Sequence, residues 1–297
     1  MPPAPTIEIT PSHTARVGSS TVRRALPRRV RRTVGAWCFA DHLGPEPVPA
    51  HHGADGPGGV GPHPHIGLQT VTWLLSGELL HLDSLGSEQT VRPGQLNLMT
   101  AGHGIAHAEE LLTSAGGLQH GIQLWVAQPE ATRHGPPAFE HHGELPQADL
   151  AHGTATVLVG TFAGVTSPAR RDTDHLGAEL ALQPGSSTIS LAATSEHALV
   201  VLEGRVVVDG ARLPPGHLGY LDVGRDELTI QVDAPTRLML LGGAPFESPI
   251  SMWWNYVARS HDEIDAANSA WRDGDERFGT VTSALSRIPA PVPPWRS

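Results

Sequence analysis

Apolar residues along this chain come in short runs, each closed by glycine, proline, aspartate or serine. Leu68 to Leu75, Gln119 to Ala127, Thr154 to Thr161, Ala198 to Leu202, Arg205 to Val208, Glu227 to Val232 and Thr236 to Leu241 are rich in β-branched or apolar side chains. Each is predicted to be a strand. One segment follows another period: Ser260 stands three residues before Glu263 as a capping box, and Ile264, Ala267 and Trp271 recur at helical spacing. Many short strands at regular spacing predict a sandwich or barrel fold. The polar start, Met1 to Ser12, and the proline-rich end, Ile288 to Ser297, are expected to lie over the surface or be mobile.

The strand pattern occurs twice. Val71-Thr72-Trp73-Leu74-Leu75-Ser76-Gly77 is followed by Arg92-Pro93-Gly94-Gln95-Leu96, and Leu199-Val200-Val201-Leu202-Glu203-Gly204 by Pro214-Pro215-Gly216-His217-Leu218. In both, an apolar strand ends in x-Gly and a Pro-Gly corner later opens another strand with leucine. The repeat predicts two similar barrels joined near Phe139 to Ala151, with an N-terminal domain over 1–140 and a C-terminal domain over 141–297.

Composition narrows the chemistry. All 20 residues in the Lys+Arg count are arginine, so no lysine is available for a Schiff base, a P-loop or a kinase-type phosphate contact. The one cysteine, Cys38, excludes disulfide frameworks and cysteine-rich metal sites, and its neighbours Trp37, Phe39 and Ala40 mark it as a buried small hydrophobe. A net charge of -10 argues against a nucleic-acid surface. The basic run Arg23, Arg24, Arg28, Arg29, Arg31 and Arg32 is interrupted by apolar residues and reads as a strand whose arginines face water and acidic loops. With neither a leader nor a membrane-length apolar stretch in the sequence, a cytoplasmic protein is expected.

What is plentiful is histidine, 18 residues beside 30 carboxylates, a combination suited to a first-row metal. The informative pairs are His63-Pro64-His65 and His107-Ala108-Glu109. Residues two apart on a strand share a face, so each pair can present two ligands to the interior of a closed barrel. Three imidazoles and a carboxylate leave two positions of an octahedron open, as a catalytic iron, manganese, nickel or copper requires and a structural zinc does not. Counting the same offsets from the second Pro-Gly corner gives Thr229 and Gln231, which are poor ligands, and His197 stands alone before the strand that ends at Gly204. The C-terminal half is therefore expected to be metal-free.

These motifs resemble the pirin family, a branch of the cupin superfamily. The residues that carry the likeness are Asp41-His42-Leu43-Gly44-Pro45, His63-Pro64-His65-Ile66-Gly67-Leu68-Gln69-Thr70-Val71-Thr72, Asp83-Ser84-Leu85-Gly86 and the run from Met99 to Glu109. Val22 to Pro27 resembles the family's first strand, and Leu241 to Phe246, Trp253-Trp254-Asn255 and the terminal helix resemble its ending. The resemblance implies an all-β fold of two tandem cupin (jelly-roll) barrels with a short C-terminal helix. It implies one divalent metal in the N-terminal barrel, usually Fe(II), with Mn, Ni, Cu and Zn as other ions the donor set accepts. The family's ligands carry over onto His63, His65, His107 and Glu109; in the dioxygenase reading Glu109 is also the catalytic residue, expected to take or share the substrate hydroxyl proton. Two functions follow from the resemblance: quercetin 2,3-dioxygenase activity on flavonol or enediol substrates, or iron-dependent, redox-sensing binding of a regulatory protein partner. Two positions depart from the pattern. Gln69 stands where the wider cupin motif has a glutamate ligand, and His103 where the family often has arginine.

Overall fold

The computed structural model describes residues 7–48 and 58–296. Two compact units are assembled from non-contiguous segments. One comprises Met1–Thr14, Arg23–His42 and Glu144–Phe246; the other comprises Ala15–Val22, Leu43–Gly143 and Glu247–Ser297. The chain passes from one unit to the other five times, at Thr14/Ala15, Val22/Arg23, His42/Leu43, Gly143/Glu144 and Phe246/Glu247. The helix and tail at the C-terminus belong with the unit that carries the histidine motifs.

In the apolar unit, a seven-stranded sheet has the order Glu8–Pro11, His217–Leu221, Glu196–Glu203, Thr236–Gly243, His175–Leu182, Gly153–Val159, Gln147–Leu150. A four-stranded sheet has the order Gly185–Ser190, Glu227–Val232, Val206–Val208, Ala211–Leu213. Both sheets contribute to one core, with Leu180, Leu199, Val201, Leu238 and Leu240 from the first and Ile189, Val206, Val208, Leu228 and Ile230 from the second.

The histidine-bearing unit repeats this plan. Neighbouring strands Ala138–His142, Leu96–Thr100, Leu68–Ser76 and Leu118–Ala127 lie in its larger sheet, and a four-stranded sheet has the order Gly59–His65, Ile105–Leu111, Leu79–Asp83, Glu88–Val91. The strand after each Pro-Gly corner thus pairs with the strand that ends in x-Gly, Leu96–Thr100 on Leu68–Ser76 and His217–Leu221 on Glu196–Glu203. The matching turns share a backbone solution: Gly77 and Gly204 have φ of 86° and 80°, Gly94 and Gly216 have 80° and 73°, values that disfavour any side chain.

Helix His261–Asp273 starts where the capping box places it: Ser260 accepts from the Glu263 amide at 3.2 Å, while the Glu263 carboxylate reaches back to the Arg259 amide. Its buried face, Ile264, Ala267 and Trp271, packs with Ile66, Ala106, Tyr256 and Phe278 on the outer side of the histidine sheet. Residues 1–6 and 297 of the expected surface segments lie outside the described residues; the described parts of both ends have defined partners. Glu8–Pro11 completes the edge of the apolar unit's larger sheet. In the tail, Ile288 donates its amide to Pro62 and receives the Trp271 indole N–H, and Trp295 stacks on His261 at 3.9 Å. The basic run has local partners: Arg24 holds Asp41 through two bonds of 2.8 and 2.6 Å, and Arg31 bonds Glu8 and covers the Tyr220 ring. Cys38 is buried. Among the described residues no helix is long and apolar enough to cross a membrane.

Candidate metal centre

Strand Gly59–His65 pairs antiparallel with Ile105–Leu111, setting His63 opposite His107 and His65 opposite Ile105. The register slips between His107 and Glu109, where Gly61 and Pro62 occupy the facing strand and Pro62 has no amide to offer. On the other flank, Leu79–Asp83 sets Asp83 opposite His107 and His81 opposite Glu109.

The ligand atoms of His63, His65 and His107 all lie within 4.8 Å of one another, and all three residues are buried. The Nε2 atoms of His65 and His107 are 3.0 Å apart. His63 Nδ1 donates to Gly61 O at 2.8 Å and His65 Nδ1 to Asn255 O at 2.9 Å, which leaves the Nε2 lone pair of each ring free. Burial holds the three rings neutral, His63 at about 4 and His65 and His107 well below their usual value, with each neighbouring imidazole adding to the effect. Neutral imidazole lone pairs meeting at one buried point fit a divalent cation, which satisfies them all at once.

Glu109 is not part of that converging triad. Half-buried one step along the strand, it accepts from the Thr72 hydroxyl at 3.3 Å, and burial pushes its carboxyl above the usual range. Behind His107 stands a pair that carried no role in the sequence reading. His81 Nδ1 lies 3.5 Å from His107 Nδ1, and its Nε2 faces Asp83 Oδ2 at 3.1 Å. Amides of Leu85 and Ser87 hold the other Asp83 oxygen. Aromatic rings complete the wall: Trp125 sets its edge against His65 at 5.2 Å, and Phe139 stacks on His81 at 4.3 Å. Alternation along their strands could have flagged these residues, but only the pairing of strands far apart in sequence joins them to the histidines.

The two departures from the motif lie outside this cluster. Gln69 is fully buried, alternates with Thr70 and Thr72 onto the opposite face of its strand, and bonds Thr100. His103 is exposed, with its ring on Gly135 O. In the apolar unit the offset count is one residue out of phase with the interior. Thr229 is half-buried and Gln231 exposed, and the inward positions are Leu228 and Ile230. His197 is buried with its Nδ1 unpaired, and burial pushes its pKa down to about 4.

The model of the family described as Pirin matches residues 19–126, and that of the Pirin C-terminal cupin domain matches residues 177–279. A Pseudomonas aeruginosa protein named "Putative quercetin 2,3-dioxygenase" is 48% identical over 94% of this chain and 88% of its own. The crystal structure of a quercetin 2,3-dioxygenase from Acinetobacter baumannii superposes with a TM-score of 0.92 at 42% identity, covering 97% of this chain and 96% of that one. A pirin from Escherichia coli, solved in complex with nickel(II), shares the fold at a TM-score of 0.65 and 20% identity, over 81% of this chain and 100% of its own.

Proposed function

The chain belongs to the pirin family of two-cupin proteins, and on that premise we propose that it is a metal-dependent dioxygenase acting on flavonol or related enediol substrates. The observation that supports this reading most is the convergence of three neutral, buried imidazoles beside a carboxylate that burial makes more basic. His63, His65 and His107 would hold the metal, with Glu109 as the fourth ligand. Fe(II) is the proposed ion, and the donor set also accepts Mn, Ni, Cu or Zn. A bound metal supplies Lewis acidity toward the enediol oxygens and a centre for reaction with dioxygen.

This chain's own residues do the rest. The Thr72 hydroxyl holds one oxygen of Glu109, so the other takes the proton of the substrate's hydroxyl. His81 and Asp83 keep the His107 ring in its plane from behind. Trp125 and Phe139 give a planar ligand flat apolar walls. The test is oxygen uptake by metal-loaded protein given quercetin and simpler enediols. Uptake is expected, and Glu109→Gln should lower it roughly 100-fold or more. Protein carrying one metal per chain that consumes no oxygen with any enediol overturns the proposal, and unchanged uptake in Glu109→Gln removes the proton role.

A further inference from the structure

We propose that the carboxamides of Asn97 and Gln123 form a pair of hydrogen-bond donors inside the histidine-bearing barrel. The pair selects planar enediol substrates that carry an additional acceptor oxygen, a carbonyl or phenol, beyond the two that chelate the metal. The inference rests on the dioxygenase reading for the kind of ligand and on independent residues for its recognition.

The strand register builds a polar row. Asn97 lies directly opposite Thr72 on one side of strand Leu68–Ser76, Gln123 lies directly opposite Thr72 on the other, and His141 lies opposite Asn97 on the next strand out. Residues paired this way across antiparallel strands share a face. Because the Thr72 hydroxyl touches Glu109, that face is the barrel interior. His141, Asn97, Thr72 and Gln123 therefore line one wall across four neighbouring strands, a span of roughly 14 Å at ~4.8 Å per strand. Phe139 and Trp125 sit two residues from His141 and Gln123, on the same face, and reach the histidine cluster.

Within this row the protein engages the two carboxamide oxygens. His141 Nδ1 donates to Asn97 Oδ1 at 2.7 Å, and the single Thr72 hydroxyl proton is shared between Gln123 Oε1 at 2.9 Å and Glu109 Oε1 at 3.3 Å, the shorter contact fixing the Gln123 oxygen. Both amides are thereby fixed with their NH2 groups as the remaining polar ends. Asn97 is 2% exposed, yet its Nδ2 has no partner among the described residues. A buried amide donor without an acceptor is uncommon in a folded chain and calls for one from outside the protein. Beside a centre that takes an enediol, the acceptor that fits is an oxygen on the distal part of a flat aromatic ligand.

The test is anaerobic titration of Fe(II)-loaded protein, followed by tryptophan fluorescence, with two probes. Quercetin has the chelating hydroxy-ketone and further ring hydroxyls, whereas 3-hydroxyflavone has the chelating pair alone. Asn97→Ala should weaken quercetin binding by about 10-fold, the size of one hydrogen bond, and shift 3-hydroxyflavone by less than about twofold. Gln123→Met, nearly the same shape without the donor, should move the ratio in the same direction and stands in if Asn97→Ala does not fold. Equal losses for both probes, no loss for quercetin, or failure of wild type to bind quercetin each overturn the proposal. Oxygen uptake, measured separately, distinguishes the two readings. Selective binding without uptake keeps the donor pair and removes the dioxygenase; uptake with an unchanged probe ratio removes the donor pair alone.

Discussion

The two β units share a strand order and matching glycine turns, yet one is filled with hydrocarbon and the other with imidazoles. In the apolar unit, positions facing the interior of the smaller sheet are Ile189, Leu228, Ile230, Val206 and Val208. In the histidine-bearing unit, strands of the same order turn His63, His65, His107 and His81 inward, faced by Thr72, Asn97 and Gln123. The comparison teaches that the backbone plan is indifferent to the chemistry of its interior: an apolar filling stabilises one copy, and the other forgoes that burial to bring imidazoles together. Function lives in side chains placed on a plan that does not itself encode it.

The sharpest break in the comparison is to remove a ligand. His63→Ala or His107→Ala should reduce metal affinity by more than the ~10–100-fold that outer partners of a metal ligand typically carry. Elemental analysis would read this as near-complete loss of metal, with the far-UV spectrum of the β units unchanged. Retained stoichiometry would show that the imidazole cluster is not the site. The complementary change lies in the apolar unit, where Leu240→Ala should lower stability by roughly 2–5 kcal/mol in denaturant melts and leave metal content untouched.

Buried histidines occur in both units, and in the apolar one they can be probed by pH away from the histidine cluster. Burial depresses the folded-state pKa of His175, in the apolar unit, from the ordinary 6.5 to about 4. The unfolded chain therefore binds the proton more readily. Stability is fully present above pH 6.5 and is lost as pH falls toward 4, by on the order of 3 kcal/mol at this residue. His197 acts with the same sign. Trp37, whose ring lies 5.3 Å from His175, reports the loss by fluorescence. A His175→Gln variant should flatten the pH dependence between 6.5 and 4; an unaltered slope would assign the effect to other groups. The smallest effect probes the likeness itself. Gly94→Ala and Gly216→Ala place a side chain at positive φ in equivalent corners, and each should cost about 1–2 kcal/mol in melts. A large disparity would mean the corners are not equivalent.

Much of this architecture could be read before any coordinates. The strand expected over Glu227 to Val232 has those bounds, and the helix starts after its Ser260 cap because both signals are local. The histidine pairs were legible for the same reason, as each is a two-residue pattern on one strand. What escaped depends on pairing over distance. The polar row joins residues 25 to 51 positions apart through strand register alone. Glu8–Pro11 carries no strong strand signal and is a strand because His217–Leu221 leaves it an edge to complete. His141 belongs to no ligand-spaced pair in the sequence, and it is the strand pairing that sets Asn97 opposite it. The offset that led to Thr229 and Gln231 missed by one residue, and on a strand one residue reverses the face.

The bond that orients His65 runs to the carbonyl of Asn255, 190 residues later in the chain. During synthesis at ~5–20 residues per second, the ring waits about 10–40 seconds for the partner that fixes its tautomer. The three histidines can emerge and pair as strands, yet the carbonyl that orients one of them arrives only when nearly the whole polypeptide has been made. The geometry of the histidine cluster is thereby finished late in translation, and a nascent chain stalled before Asn255 carries the motif without that orienting bond.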